Sequence, residues 1–187
     1  NTVAGMILDY RAFDTLGESF VLFTAVCAVT ILMNLSPKKR RPLPKEVVNY
    51  AADPIVAGVC RGLIPVILLF GVYILLNGHL SPGGGFSGGA VLAAGLIYAL
   101  VWRDAAVLRT FRASILRAVA ACALGFYCLA KSYSFFTGAN HLHSIISPGT
   151  PGNILSGGLI LPLNVAVGLV VCCTMYSFYM YFRRGEL

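Results

Sequence analysis

Five long apolar stretches constrain this chain more than anything else in it. They lie near Leu16–Leu35, Ile55–Asn77, Phe86–Trp102, Ile115–Phe136 and Ile154–Phe182. A helix needs roughly 20 residues to cross a hydrocarbon layer about 30 Å thick, and each stretch reaches or nearly reaches that length. No water is available inside a bilayer to satisfy backbone N–H and C=O groups, so runs of this kind must be helical. Composition agrees: 58% of the 187 residues are hydrophobic and 11% charged, with a mean hydropathy of +0.81, far too apolar for a soluble domain of this size. The expected fold is all-α, an integral membrane protein of five transmembrane helices. The sequence opens on Asn1, and no charged n-region, short apolar core and small-residue cleavage site stand at its start, so no signal peptide is expected in it.

Charge placement orients the bundle. Lys38, Lys39, Arg40, Arg41 and Lys45 follow the first stretch, Arg103, Arg109, Arg112 and Arg117 follow the third, and Arg183 and Arg184 follow the fifth. All fall on one side. The opposite loops, 78–85 and 137–153, hold no Lys or Arg, and the N-terminal segment adds only Arg11. The positive-inside rule then puts the N-terminus outside and the C-terminus in the cytoplasm, so the formal net charge of +7 is mostly topology. Aromatic residues are not interleaved with the basic run, which flanks a span, so nucleic acid is not an expected partner. The chain divides into a segment 1–35 with the first helix, a basic cytoplasmic linker 36–54, and a four-helix domain 55–187 made of two helical hairpins.

Cys27, Cys60, Cys122, Cys128, Cys172 and Cys173 all fall within the apolar stretches. With no C-x-x-C pair and no His/Cys spacing suited to a metal, they read as small packing residues, and no metal or redox cofactor is expected in this chain.

The segment "GHLSPGGGFSGG", residues 78–89, holds five glycines within seven positions, Gly83, Gly84, Gly85, Gly88 and Gly89. It satisfies G-x-G-x-x-G literally, but that fingerprint needs a strand before it and a soluble helix after it, and no Lys-Ser/Thr pair follows, so nucleotide binding is rejected. Two readings remain. In one, Pro82 stops the second helix and the glycines let the chain turn and bring Phe86 and the next helix close to its neighbour. In the other, the open backbone dips below the surface and presents polar groups to a hydrated cavity.

"SPGGGFSGGAVLAAG" from Ser81 is echoed by "SPGTPGNILSGGLILPLNVAVG" from Ser147. Both loops open with Ser-Pro-Gly and both following helices with Ser-Gly-Gly, the second copy at Ser156, Gly157 and Gly158. The two hairpins therefore read as parallel copies with their loops on one face.

The regions "NGHLSPGGGFSGGAVLAAGLIYAL" and "GTPGNILSGGLILPLNVAVGLVV" resemble the two signature regions of the B-type subunit of Mrp multisubunit Na⁺/H⁺ antiporters. The same B-type component occurs in the membrane arm of Mrp-related respiratory complexes, such as membrane-bound nickel–iron hydrogenases and a related sulfur-reducing complex. The likeness covers roughly residues 50–182 and rests on a long, unusual motif. "NTVAGMILDYRAFDTLGESFVLFTAV" separately resembles the last helix of the antiporter's A-type subunit, so this chain fuses both pieces. The resemblance implies a membrane subunit, without redox centres of its own, in the Na⁺/H⁺-translocating module of a hydrogenase-like respiratory complex in the cytoplasmic membrane of a prokaryote. Its partners would be the other membrane subunits and the lipid bilayer, and Na⁺ or H⁺ the transported ion. A stand-alone Mrp antiporter and a structural spacer between pump modules are the alternatives.

The charged and polar residues within the spans are the candidates for such a path. Asp14 and Glu18 lie four residues apart with Arg11 three before Asp14, so a helix puts them on one face at its outer end. Paired carboxylates can hold Na⁺ or shift one pKa until a proton exchanges near neutrality; a solvated interfacial turn is the plain alternative. Glu18, the deeper of the two, is also favoured by the likeness to the A-type tail. Lys131 lies about 24 Å along the fourth span, nearer the outer surface than the midplane. It either snorkels to the outer headgroups or is buried and paired, and Glu18 is the acid of this chain at matching depth. Asn164, just after Pro162, reads as interhelical glue or as the lining of a cavity. His79, in an outward loop, suits outer-face proton exchange or plain hydrogen bonding. No nucleophile–base pair or cofactor box points to a reaction catalysed by this chain alone.

Overall fold

The structure is a computed structural model that describes residues 12–35, 53–78, 83–102, 113–140 and 159–183. These residues form five helices: α1 (Ala12–Leu35), α2 (Pro54–Asn77), α3 (Gly85–Trp102), α4 (Ala113–Ala139) and α5 (Ile160–Arg183). All five are long and apolar enough to cross a membrane, and no strand occurs among the described residues. The expected all-α, five-helix membrane architecture is what forms.

Local chemistry sets the ends. Asp53 caps α2, its carboxylate accepting the Ile55 N–H at 2.9 Å and its carbonyl the Ala57 N–H at 2.9 Å. Pro54 follows at the first helical position, where its missing N–H removes nothing. Pro65, inside the same helix, leaves the Arg61 carbonyl without its helical donor on an exposed face. At the far end of α4, Asn140 turns back so that both its backbone N–H and its side-chain Nδ2 donate to the Phe136 carbonyl, at 3.2 and 2.9 Å.

α5 is the axis of the bundle. It touches α1, α2, α3 and α4, while α2 packs mainly on α3 and α1 mainly on α4 and α5. Toward one end, Tyr176, Met180 and Cys173 of α5 pack with Leu100 of α3 and with Leu116 and Ala120 of α4. Toward the other, Leu163, Val167 and Val171 pack around Tyr127 of α4, with Leu16 and Leu22 of α1 at the edge. Between them, Ala166 and Val170 meet Ala123, Leu124 and Phe23. The other four helices leave wide apolar faces open, among them Val66 and Leu69 of α2, Leu129 and Phe135 of α4 and Val21 of α1, as suits acyl chains or neighbouring subunits.

Candidate functional site

The most tightly built part of the bundle is where α3 begins. Gly85, Gly88 and Gly89 are buried, and α3 runs so close to both neighbours that side chains there have no room. A methyl group at Gly85 would collide with the Asn164 carbonyl oxygen and stand 2.9 Å from Val167 Cβ. At Gly89 it would lie 2.6 Å from the Gly168 carbonyl oxygen, and at Gly88 2.9 Å from the Leu75 backbone nitrogen. Gly85 and Gly89 thus face α5 and Gly88 faces α2, so three glycines at the start of one helix press α3 against two others. Leu75 of α2 reaches through to Gly168 of α5 and joins all three.

Asn164 pins this junction. Its Oδ1 accepts the Gly85 N–H at 3.1 Å, satisfying one of the N–H groups that the start of a helix leaves without a partner. The side chain is 2% exposed, and its Nδ2 has no hydrogen-bond partner. The bond is a contact between α3 and α5. Gly83 and Gly84 precede the helix, exposed and half-buried, and Phe86 is exposed on its outer face. His79, Pro82, Ser156, Gly157 and Gly158 lie outside the described residues, and so does the second copy of the repeat's loop.

The polar groups nearest the same end are split between inside and outside. Lys131 is 7% exposed, packed within the bundle rather than laid along its surface. Asp14 and Glu18 are exposed on α1, whereas Thr15 and Ser19 of that helix are buried, Ser19 donating to the Thr15 carbonyl at 2.9 Å. At the other end Thr30, Thr174 and Ser177 are buried, each hydroxyl donating to the carbonyl four residues earlier in its own helix. Arg117 Nη1 donates to Tyr181 Oη at 2.6 Å and ties the start of α4 to the end of α5. Between the two polar levels the interior is closed by Val26, Leu124, Val170 and Val171. No cluster of His, Cys, Asp and Glu suited to a metal ion is found among the described residues.

Sequence reading missed three parts of this arrangement: Gly168, the inward hydroxyls of α1, and the pairing of Gly71 and Gly95 with Leu92 and Leu68 across the α2–α3 seam. One signal was available. Gly85 and Gly89 on α3 and Asn164 and Gly168 on α5 share a spacing of four, the step that lines small groups along one helix face.

Comparison with known proteins gives a consistent result. A family model described as a domain related to the MnhB subunit of Na⁺/H⁺ antiporter matches residues 55–177. Uncharacterized protein MJ1307 of Methanocaldococcus jannaschii is 32% identical over 91% of this chain and 72% of its own length. A probable K⁺/H⁺ antiporter protein of Rhizobium meliloti, named for both the A and the B subunits, is 30% identical over 52% of this chain, which spans only 12% of that protein. Among solved structures, a chain of the membrane-bound sulfane sulfur reductase, an archaeal respiratory membrane complex, superposes with a TM-score of 0.72 at 26% identity, covering 97% of this chain and 77% of that one.

Proposed function

Because this chain belongs to the family of domains related to the MnhB subunit of Na⁺/H⁺ antiporters, we propose that it is a non-redox membrane subunit in the cation/proton-translocating module of an Mrp-related respiratory complex. It is a multi-pass membrane protein whose place is among other membrane subunits. The observation that carries the respiratory reading is the extent of the fold match: 97% of this chain, α1 included, superposes on one chain of a respiratory membrane complex. A stand-alone antiporter is the second reading, favoured by the likeness to the rhizobial K⁺/H⁺ antiporter protein.

The bilayer in question is the cytoplasmic membrane of a prokaryote, with the N-terminus outside and the basic linker inside. The ion is Na⁺ or H⁺. Asp14, Glu18, Lys131, His79 and Asn164 are this chain's share of the path. The apolar layer of Val26, Leu124, Val170 and Val171 argues against a conduit between its own helices. The path instead follows faces shared with neighbouring subunits, reaching Lys131 from the outer side.

Affinity purification of the chain from native membranes, with identification of the subunits that follow it, tests the assignment. Antiporter-like membrane subunits together with a redox-active peripheral arm are expected. Antiporter-like subunits alone would favour the stand-alone exchanger, and a chain that purifies by itself would overturn both readings.

A further inference from the structure

Arg117 stands near the start of α4 as a half-buried cation with more donors than acceptors around it. Its Nη1 donates to Tyr181 Oη at 2.6 Å, which spends one of the five N–H groups of the guanidinium. Tyr181 is 6% exposed, and since its oxygen accepts that bond, its own O–H proton still needs an acceptor. Neither side chain makes a further hydrogen bond or ion pair among the described residues. Asp53, the acid that the described residues place at this end of the bundle, is engaged in capping α2. α4 begins one turn before Arg117 with no acid in that turn, so the positive end of its dipole lies at the same level. The sequence adds Arg112 just before α4 and Arg183 and Arg184 at the end of α5. Such a place calls for an anion.

Depth selects the kind of anion. The 27 residues of α4 make a helix about 40 Å long, which exceeds a hydrocarbon core of about 30 Å by roughly 5 Å at each end. Arg117, about 6 Å from the start of the helix, is therefore level with the boundary between acyl chains and headgroups, where lipid phosphates lie. Ser114, Ala118 and Ala121 around it are exposed, so the guanidinium is open to that layer while Tyr181 holds it from behind.

We propose that Arg117 and Tyr181 form a binding site for the phosphate of an anionic phospholipid. The guanidinium offers paired N–H groups to two phosphate oxygens, a match of shape as well as charge. The Tyr181 O–H donates to an oxygen of the same group, since donors only 2.6 Å apart can share one phosphate. Basic pockets between membrane helices at headgroup level are where such lipids are recognised. The site requires that the helices lie in a bilayer and is independent of which ion the complex moves.

The test is native mass spectrometry of the assembled complex, stripped of lipid and titrated with dioleoyl phosphatidylglycerol, dioleoyl phosphatidylcholine or inorganic phosphate. The tightest phosphatidylglycerol site of the wild type should weaken about tenfold or more in Arg117→Gln and several-fold in Tyr181→Phe, the scale of hydrogen bonds to a charged group. Arg117→Lys, which keeps the charge without the fork, should fall between wild type and Arg117→Gln. Tyr181→Phe leaves the buried ring in place and decides the matter if Arg117→Gln does not assemble. Unchanged phosphatidylglycerol binding in these variants overturns the proposal. So does phosphatidylcholine bound as tightly as phosphatidylglycerol, or inorganic phosphate displacing the lipid at equal concentration. A wild type that holds no phosphatidylglycerol, with a neighbouring subunit lost in Arg117→Gln, would assign the guanidinium to a partner's carboxylate and overturn it as well.

Discussion

The Asn164 side chain accepts the Gly85 N–H at 3.1 Å across 79 positions of sequence, joining the first turn of α3 to α5. The bond replaces a cap that α3 does not supply for itself, because glycines precede it where a Ser, Thr, Asp or Asn would normally stand. The glycines that deny α3 its own cap are also what lets α5 come close enough to provide one. Packing and capping are therefore one feature.

Removing the acceptor should loosen that junction. Asn164→Ala is expected to lower the stability of the bundle by about 1 kcal/mol, the scale of a side-chain hydrogen bond between membrane helices. Asn164→Asp keeps an oxygen for the Gly85 N–H but buries a carboxyl at a 2% exposed site, so it should lose at least as much. Thermal melting of the solubilised complex checks both; a wild-type melting point in Asn164→Ala would mean that the bond contributes nothing.

The close approach itself gives a sharper contrast. Gly89→Leu drives a side chain into the Gly168 backbone, where the opposing atoms are main chain and cannot swing aside, so it should cost about 3 kcal/mol or more and reduce assembly. Gly17→Leu, at an α1 position where an added Cβ meets nothing within 4 Å among the described residues, should leave the bundle itself intact. Quantifying folded chain in membranes for both variants tests whether the α3–α5 contact is as tight as the geometry requires.

The helices were legible because apolar length is a strong signal in lipid, and the ends at Asn77 and Trp102 coincide with the sequence reading. α1 starts at Ala12 rather than Leu16, since Asp14 and Glu18 are acceptable in a helical first turn and a half. α4 runs on to Ala139 past Phe136, helped by Thr137 Oγ1 donating to the Tyr133 carbonyl at 2.8 Å. The order of helices around α5 was not legible. In a membrane both the inner and the lipid-facing sides are apolar, so periodicity does not say which face of a span meets which neighbour. Of the site, the importance of the glycines and Asn164 could be read, but not their partners, and the burial of Lys131 needed the fold to choose between snorkelling and packing.

Leu75 is the side chain most exposed to a cavity penalty. It is 6% exposed, its tip rests on Gly168, and its backbone is pressed by Gly88. In lipid the transfer of a leucine between acyl chains and protein is nearly neutral, so the loss in Leu75→Ala is mainly the void left among α2, α3 and α5. A destabilisation of about 2 kcal/mol, at the low end for buried Leu→Ala, is expected from thermal or denaturant unfolding of the complex. A change within experimental error would show that the three helices close over the gap.

Lys131 provides the functional test. A cation packed inside a membrane bundle at 7% exposure is costly to maintain, and such residues mark ion or proton paths more often than they stabilise a fold. Lys131→Met keeps the unbranched stem that fills the space and removes only the ammonium donors, whereas Lys131→Arg keeps a cation but is bulkier and cannot release its proton. If Lys131 takes part in translocation by exchanging a proton, both variants should assemble and both should lose ion transport in inverted membrane vesicles, by about tenfold or more, the effect of about 1.4 kcal/mol on a rate-limiting step. If it serves only as a fixed charge beside the path, Lys131→Arg should retain most of the transport and Lys131→Met should not. Undiminished transport in Lys131→Met, with normal assembly, would remove Lys131 from the path and leave this chain's contribution to its outer faces.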